Sequence, residues 1–248
     1  MTSLPTQPAF VLVRPQMGEN IGGAARAMWN FGLDRMRVVA PRDGWPNPKA
    51  AAMASGAGRL LDNAGLFDDT AQAVAECTHV YATTARQRGM TKPVLTPEEA
   101  MRDAALRIAG GERVAVLFGP ERTGLETEDI TLANTIISVP VNPDFPSLNL
   151  AQCVLLTAYE WRQQVTDTPA RRTEMAGSDW ATQGEIDALA RHVEERMEVA
   201  GFFYPEDKAA SMKRNLRNLW SRMPLTRPDV QILHGVLRQM VRWKERGD

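Results

Sequence analysis

The stretch "VAVLFGPERTGLE", residues 114–126, decides the fold. Val114 to Phe118 form a short apolar run, which reads as a strand buried on both faces. The run stops at Gly119-Pro120, and Glu121, Arg122, Thr123 and Gly124 follow before a helix expected to begin near Leu125. A buried strand that runs into a glycine-bounded charged loop and then a helix is where open α/β sheets place ligands.

Outward from this strand, the same grammar repeats. Strands are expected at 8–15, 36–41, 80–85 and 136–141. Between them lie helical patterns at 20–32, where Asn20 can serve as the cap, and at 96–109, where Thr96 caps and Pro97 opens. Residues 48–65 also have helical character, and a long apolar helix is expected over 147–164. Strands alternating with helices predict a mostly parallel, doubly covered sheet over residues 1–165. Residues 166–182 lose periodicity and read as a linker, and 183–248 read as a helical C-terminal extension.

Composition is that of an ordinary globular chain: 248 residues, 44% hydrophobic, 24% charged, net charge −1. No apolar run is long enough to span a bilayer, and the first residues do not read as a signal peptide. The two cysteines, Cys77 and Cys153, sit in apolar contexts and are expected as buried thiols of a cytoplasmic protein. The near-zero net charge hides an asymmetry. Residues 183–207 carry the acids Glu185, Asp187, Glu194, Glu195, Glu198, Glu206 and Asp207 against two arginines. Residues 208–246 carry ten bases against Asp229 and Glu245, a local field suited to a polyphosphate partner.

The familiar motif classes are absent. "GENIGG" (18–23) lacks the glycine order of a dinucleotide fingerprint, and "GPERTG" has no following phosphate-loop lysine. His79, His192 and His234 are scattered, and no metal is expected. Three other stretches stand out together: "ENIGGAARAMWNFG" (19–32), "VLFGPERTGL" (116–125) and "VPVNPDFPSLNLAQ" (139–152). In this order and spacing they resemble the three motifs of the SpoU branch of the SPOUT RNA methyltransferases. The tail stretches "AGFFYP", "MKRNLRNLWSRM" and "DVQILHGVLRQM" resemble the helical extension of the TrmJ family within that branch, whose members methylate the ribose of nucleotide 32 in the tRNA anticodon loop.

The resemblance implies a SPOUT fold with a deep C-terminal trefoil knot, S-adenosylmethionine as cofactor, tRNA as partner, and a homodimer formed through the knot domain. It implies a cofactor pocket formed by Thr83, Thr84 and Ala85, by Gly119, Glu121 and Gly124, and by Val139, Pro140, Ser147, Leu148 and Asn149. It implies catalytic roles for Arg26, Asn20, Glu121 and Ser147, with Arg26 also meeting substrate. A side chain at Gly119 is expected to keep the backbone from closing on a flat adenine. Pro120 stands where TrmJ sequences often have arginine, which bears on nucleotide choice.

Plainer readings stand beside these. Asn20 and Ser147 read equally as helix caps, Arg26 as a surface residue, and Glu121 as a cap or as the partner of Arg122. In the tail, Met212, Leu216, Leu219 and Met223 form an apolar stripe, leaving Lys213, Arg214 and Arg217 on a basic face that suits RNA or is simply solvated. For Arg26, chemistry favours phosphate binding and alkoxide stabilisation over proton abstraction, because a guanidinium has no acceptor lone pair. A methyltransferase acting on rRNA, or a catalytically inactive RNA-binding module of the same fold, remain the alternatives.

Overall fold

The structure, a computed structural model, describes residues 6–85, 90–169, 171 and 173–245, with side chains as far as residue 240. Residues 1–5 at the N-terminus, parts of the expected linker (170 and 172) and the base Arg246 lie outside the described residues. The chain divides into two compact units, Met1–Thr168 and Pro169–Asp248.

The first unit is built on a seven-stranded sheet: β1 (Ala9–Val13), β2 (Met36–Val39), β3 (Gly65–Phe67), β4 (His79–Thr83), β5 (Val94–Leu95), β6 (Val114–Phe118) and β7 (Thr135–Ile137). The spatial order is β3-β2-β1-β6-β4-β7-β5, and every pairing is parallel. Side chains on a strand alternate between faces, so a central strand must be apolar on both. In β1, Phe10 and Leu12 enter one core with Val116 and Phe118 of β6, while Ala9, Val11 and Val13 enter the opposite core with Ala115 and Leu117. The rings of Phe10 and Phe118 lie 5.0 Å apart.

The first core is covered by α1 (Gly18–Asn30), α2 (Pro48–Ala54), α3 (Gly58–Asp62), α5 (Pro97–Ala109) and α7 (Leu150–Val165). The second is covered by α4 (Thr70–Val74) and α6 (Thr127–Thr131). Helix α1 lies so close to α2 that a Cβ on Gly22 would sit 2.3 Å from the carbonyl oxygen of Ala50. Helix α7 buries Leu150, Val154, Thr157, Ala158 and Trp161, one stripe at helical spacing.

Several elements differ from the sequence reading. Helix α1 begins at Gly18 with Met17 as its cap residue, so Asn20 lies inside the first turn and is not the cap. The cap of α7 is Asn149, whose side chain accepts from the N–H of Ala151 at 2.8 Å, not Ser147. The helix after the 119–124 loop starts at Thr127, not Leu125; Leu125 is buried in the core instead. The strand expected over 136–141 ends at Ile137, because the chain turns away toward Pro140. The short edge strands β3 and β5 have no signal of their own and owe their form to pairing with β2 and β7.

The second unit holds α8 (Gln183–Val199), α9 (Glu206–Ser221) and α10 (Arg227–Glu245). Thr182 and Glu185 form a reciprocal capping box at the start of α8. Leu189, Val193 and Val230 form a small core, joined by Leu216, Trp220, Leu233 and Leu237. The stripe expected on α9 is therefore rotated: Leu216 and Trp220 pack inward, while Leu219 and Met223 are exposed. Two histidines that look scattered in sequence meet here, His192 Nδ1 and His234 Nδ1 being 2.8 Å apart. Burial and then the neighbouring His234 push the His192 pKa down.

One buried charge ties the second core of the sheet unit together. Asp129 is 3% exposed and accepts from the side chains of Arg14 and Thr70, and from the N–H of Glu126 at 2.9 Å. Burial works against the charge on Arg14, but the hydrogen bond and charge of Asp129 more than offset it and push its pKa up. Arg14 is itself held at a positive φ of 45°. Asp129→Ala is expected to lower the unfolding free energy by about 2 kcal/mol, the lower part of the range for a broken charged network because Arg14 remains partly open to water. Urea denaturation at neutral pH measures it, and an unchanged midpoint would show that the network contributes nothing net.

Candidate active site

Strands β6, β4 and β7 lie side by side, and the loops leaving their carboxyl ends meet. Between them is a cavity of about 200 Å³. Thr83, Thr84 and Ala85 line it from the first loop, and Phe118 to Gly124 from the second. The third loop contributes Val139, Val141, Pro146, Ser147 and Leu148, and the first turns of α7 add Leu150 and Cys153. Of the expected pocket residues, Pro140 is exposed and, like Asn149, does not line the cavity.

The second loop is pinned by its own backbone. Gly124 has φ +67° and donates its N–H to the carbonyl of Pro120 at 2.9 Å. A Cβ on Gly119 would lie 2.2 Å from the nitrogen of Leu125 and 2.5 Å from the carbonyl carbon of Gly124. Gly119 is thus required because the loop folds back on itself, a reason that stands beside the expected one. The first loop is held by Thr83, whose hydroxyl donates to the carbonyl of Leu117 at 2.9 Å, and by the N–H of Thr84, which donates to Ile137 at 3.1 Å.

Glu121 does not pair with Arg122. Its carboxylate accepts from the N–H groups of Gln16 at 2.9 Å and Met17 at 3.3 Å, and from the Asn20 amide at 2.7 Å. It therefore sits at the N-terminus of α1, where orphan N–H groups and the helix dipole favour an anion. The carbonyl oxygen of the Asn20 side chain accepts from the Asn149 amide at 2.8 Å, and the Asn149 N–H donates to Gln152. Asn20, Glu121 and Asn149, one from each of the three sequence stretches, form a single hydrogen-bonded chain.

Arg26 is exposed on α1, does not line the cavity, and has no ion pair among the described residues. It lies one turn beyond Gly23, whose Cβ would touch that of Ala151 at 3.0 Å. This places Arg26 beside the α1–α7 seam, six residues along α1 from Asn20. The tail bases are not equivalent. Arg217 is bidentate with Glu194 at 2.6 and 2.7 Å, and Lys213 reaches Glu198 at 2.7 Å and the ring of Phe203, whereas Arg214 is exposed and without an ion pair among the described residues. The hydrogen bond from Arg217 holds the Glu194 pKa down. Among the described residues no cluster of histidine, cysteine and acid could hold a metal ion, and no helix is long and apolar enough to cross a membrane.

A parallel sheet with three convergent loops at its carboxyl edge defines a class of α/β enzyme. Comparison with known proteins makes the class specific. Residues 7–159 match the SpoU rRNA Methylase family, and residues 184–248 match the C-terminal domain of the tRNA methyltransferase TrmJ. The tRNA (cytidine/uridine/adenosine-2′-O-)-methyltransferase TrmJ of Pseudomonas aeruginosa is 34% identical over 237 residues, covering 92% of this chain and 91% of that protein. The tRNA (cytidine/uridine-2′-O-)-methyltransferase TrmJ of Pectobacterium atrosepticum is 33% identical over 229 residues, covering 92% and 94%. The crystal structure of TrmJ from Z. mobilis ZM4 superposes with a TM-score of 0.82 at 51% identity, covering 94% of this chain and 99% of that one. The chain belongs to the SpoU methylase family and, within it, to the TrmJ tRNA methyltransferases.

Sequence reasoning passed over Cys153 as a site residue, although its place four residues after Asn149 puts it on the cavity side of α7. Burial pushes its thiol pKa up to about 11, with the Thr83 hydroxyl pulling weakly the other way. A raised thiol pKa means the neutral form persists at every pH well below that value. Iodoacetamide at pH 8.5 is therefore expected to label native Cys153 at least about tenfold more slowly than the urea-unfolded chain. Mass spectrometry of the peptide reads the rate, and equal rates would show an open, ionised thiol.

Proposed function

We propose that this protein is an S-adenosylmethionine-dependent tRNA 2′-O-methyltransferase that acts at nucleotide 32 of the anticodon loop, as a cytoplasmic homodimer. The observation that carries the reading is the chain Glu121–Asn20–Asn149, which joins all three family stretches around one cavity. The cavity suits the cofactor. Its walls are mainly apolar (Phe118, Ile137, Val139, Leu148, Leu150), with Thr83, Thr84, Thr123 and Ser147 among them and a single arginine, Arg122, offset by Glu121, a set suited to an uncharged ring and a sulfonium rather than a triphosphate. The expected knot is consistent with the close passage of the 119–124 and 139–149 loops around this space. Exposed Leu155, Leu156 and Tyr159 on α7 supply apolar area for a closed two-fold dimer.

S-adenosylmethionine, when bound, supplies a methyl group already activated by its positively charged sulfur. The residues then have to place a ribose in line with it, and positioning can account for much of the rate. The chemistry that the cofactor would supply is methyl transfer from sulfur to the ribose 2′-oxygen, whose proton would pass to an adjacent phosphate or water. Glu121 is engaged by the end of α1 and holds the loop in shape. Arg26, exposed and outside this chain's own cavity, meets the substrate in a site shared across the dimer, where it binds phosphate and stabilises the developing alkoxide. Ser147 lines the cavity.

The decisive experiment maps ribose methylation of total tRNA with and without the protein; loss of 2′-O-methyl at nucleotide 32 is expected, and an unchanged map would overturn the reading. Arg26→Ala is expected to lower turnover on the order of a hundred- to a thousandfold while calorimetry shows nearly unchanged cofactor affinity. Partial recovery in Arg26→Lys would assign the role to charge alone, and near-normal turnover in Arg26→Ala would remove Arg26 from the mechanism.

The tail bases separate in the same assay system. Arg214→Ala should weaken tRNA binding and reduce the slope of log affinity against log salt by about one. Arg217→Ala should instead lower the melting temperature, because it strips the partner from the nearly buried Glu194. Equal effects of the two on tRNA affinity would contradict this division.

A further inference from the structure

Phe145 is the most exposed phenylalanine among the described residues, at 75%. It lies on the third cavity loop, between Val141 and Pro146, both of which line the cavity. An aromatic ring left in water contributes nothing to the core, so its place in the fold does not explain it. Nor is it on a loose tip. The N–H of Phe145 donates to the carbonyl of Asn142 at 3.0 Å, and the Asn142 side chain accepts from the N–H of Asp144 at 3.1 Å. Pro143 and Pro146 fix the backbone on either side. A stiff turn thus presents a bare ring from the loop that forms one wall of the cavity.

The chemistry of the site says what that ring could meet. Transfer to a 2′-oxygen brings a ribose to the cavity, while the base attached to it stays outside. Unstacked bases of single-stranded RNA are held by stacking on aromatic side chains, with cations nearby for the phosphates. Arg122, exposed and without an ion pair among the described residues, lines the same cavity from the second loop. The surroundings therefore offer a π face and a free cation.

We propose that Phe145 is a substrate-positioning residue that stacks on an unpaired nucleobase of the RNA substrate, an inference that rests on the methyltransferase reading above. Stacking does not read base identity, so the contact holds the target nucleotide without selecting among pyrimidines and purines.

The test uses the full chain with Phe145→Ala, Phe145→Leu and Phe145→Tyr, a tRNA transcript, and an anticodon stem-loop carrying 2-aminopurine next to or at the target. Phe145→Ala should raise KM for tRNA about five- to a hundredfold. Phe145→Leu should resemble Phe145→Ala, and Phe145→Tyr should resemble the parent. Cofactor affinity by calorimetry and mass by light scattering should not change. The parent should quench 2-aminopurine on binding, and Phe145→Ala should not. Unchanged KM in Phe145→Ala overturns the proposal, as does full function in Phe145→Leu, which would reduce the contact to apolar area. Loss of cofactor affinity or of dimer mass in Phe145→Ala also overturns it, by assigning the ring to protein contacts. Phe145-dependent quenching without any methyl transfer by the parent would sink the enzymatic reading and leave the stacking standing.

Discussion

The carboxylate of Glu121 at the N-terminus of α1 is the contact on which the site depends. A helix end leaves N–H groups without partners, and burying that end beside a ligand cavity would be costly without an acceptor. Glu121 supplies it from 101 residues away, and Asn20 passes the connection on to Asn149 and the first turn of α7. The loops that line the cavity are therefore not independent. Moving the second loop withdraws the acceptor from α1, and moving α1 breaks the link to the third.

The sheet makes this arrangement possible. Parallel pairing sets every strand's carboxyl end on one edge, and the order β6-β4-β7 puts the three loops next to each other although β4 and β7 are about fifty residues apart in sequence. Alternation of side chains on β1 and β6 divides the interior into two cores, which clamp the central strands from both sides. The loops can carry open space because the strands beneath them are fully buried.

Much of this architecture is written in local sequence. Val114–Phe118 and Ala9–Val13 are apolar throughout because both faces are buried, and that is visible as a run. The glycine at 119 announces a close approach, and the loop's own backbone is one such neighbour. What escaped local reading is whatever depends on distant partners. Asn20 has the residue type of a cap, yet α1 starts two residues earlier and its amide serves Glu121. Strands β3 and β5 are too short to show a period and exist only through their neighbours. His192 and His234 meet across two helices, and the pairing of Arg217 with Glu194 depends on the register between α9 and α8, which no window of either helix contains.

The hydrogen-bonded chain through Asn20 has a thermodynamic consequence. A ligand that binds the folded cavity and not the open chain stabilises the fold by mass action, by RT ln(1 + [L]/Kd). Because Glu121 and Asn149 reach α1 and α7 from the cavity loops, that stabilisation is not confined to the loops. It extends to the helices that cover the first core. For a ligand that fills this pocket, the lifetime of the folded chain against proteolysis would rise with the concentration of that ligand.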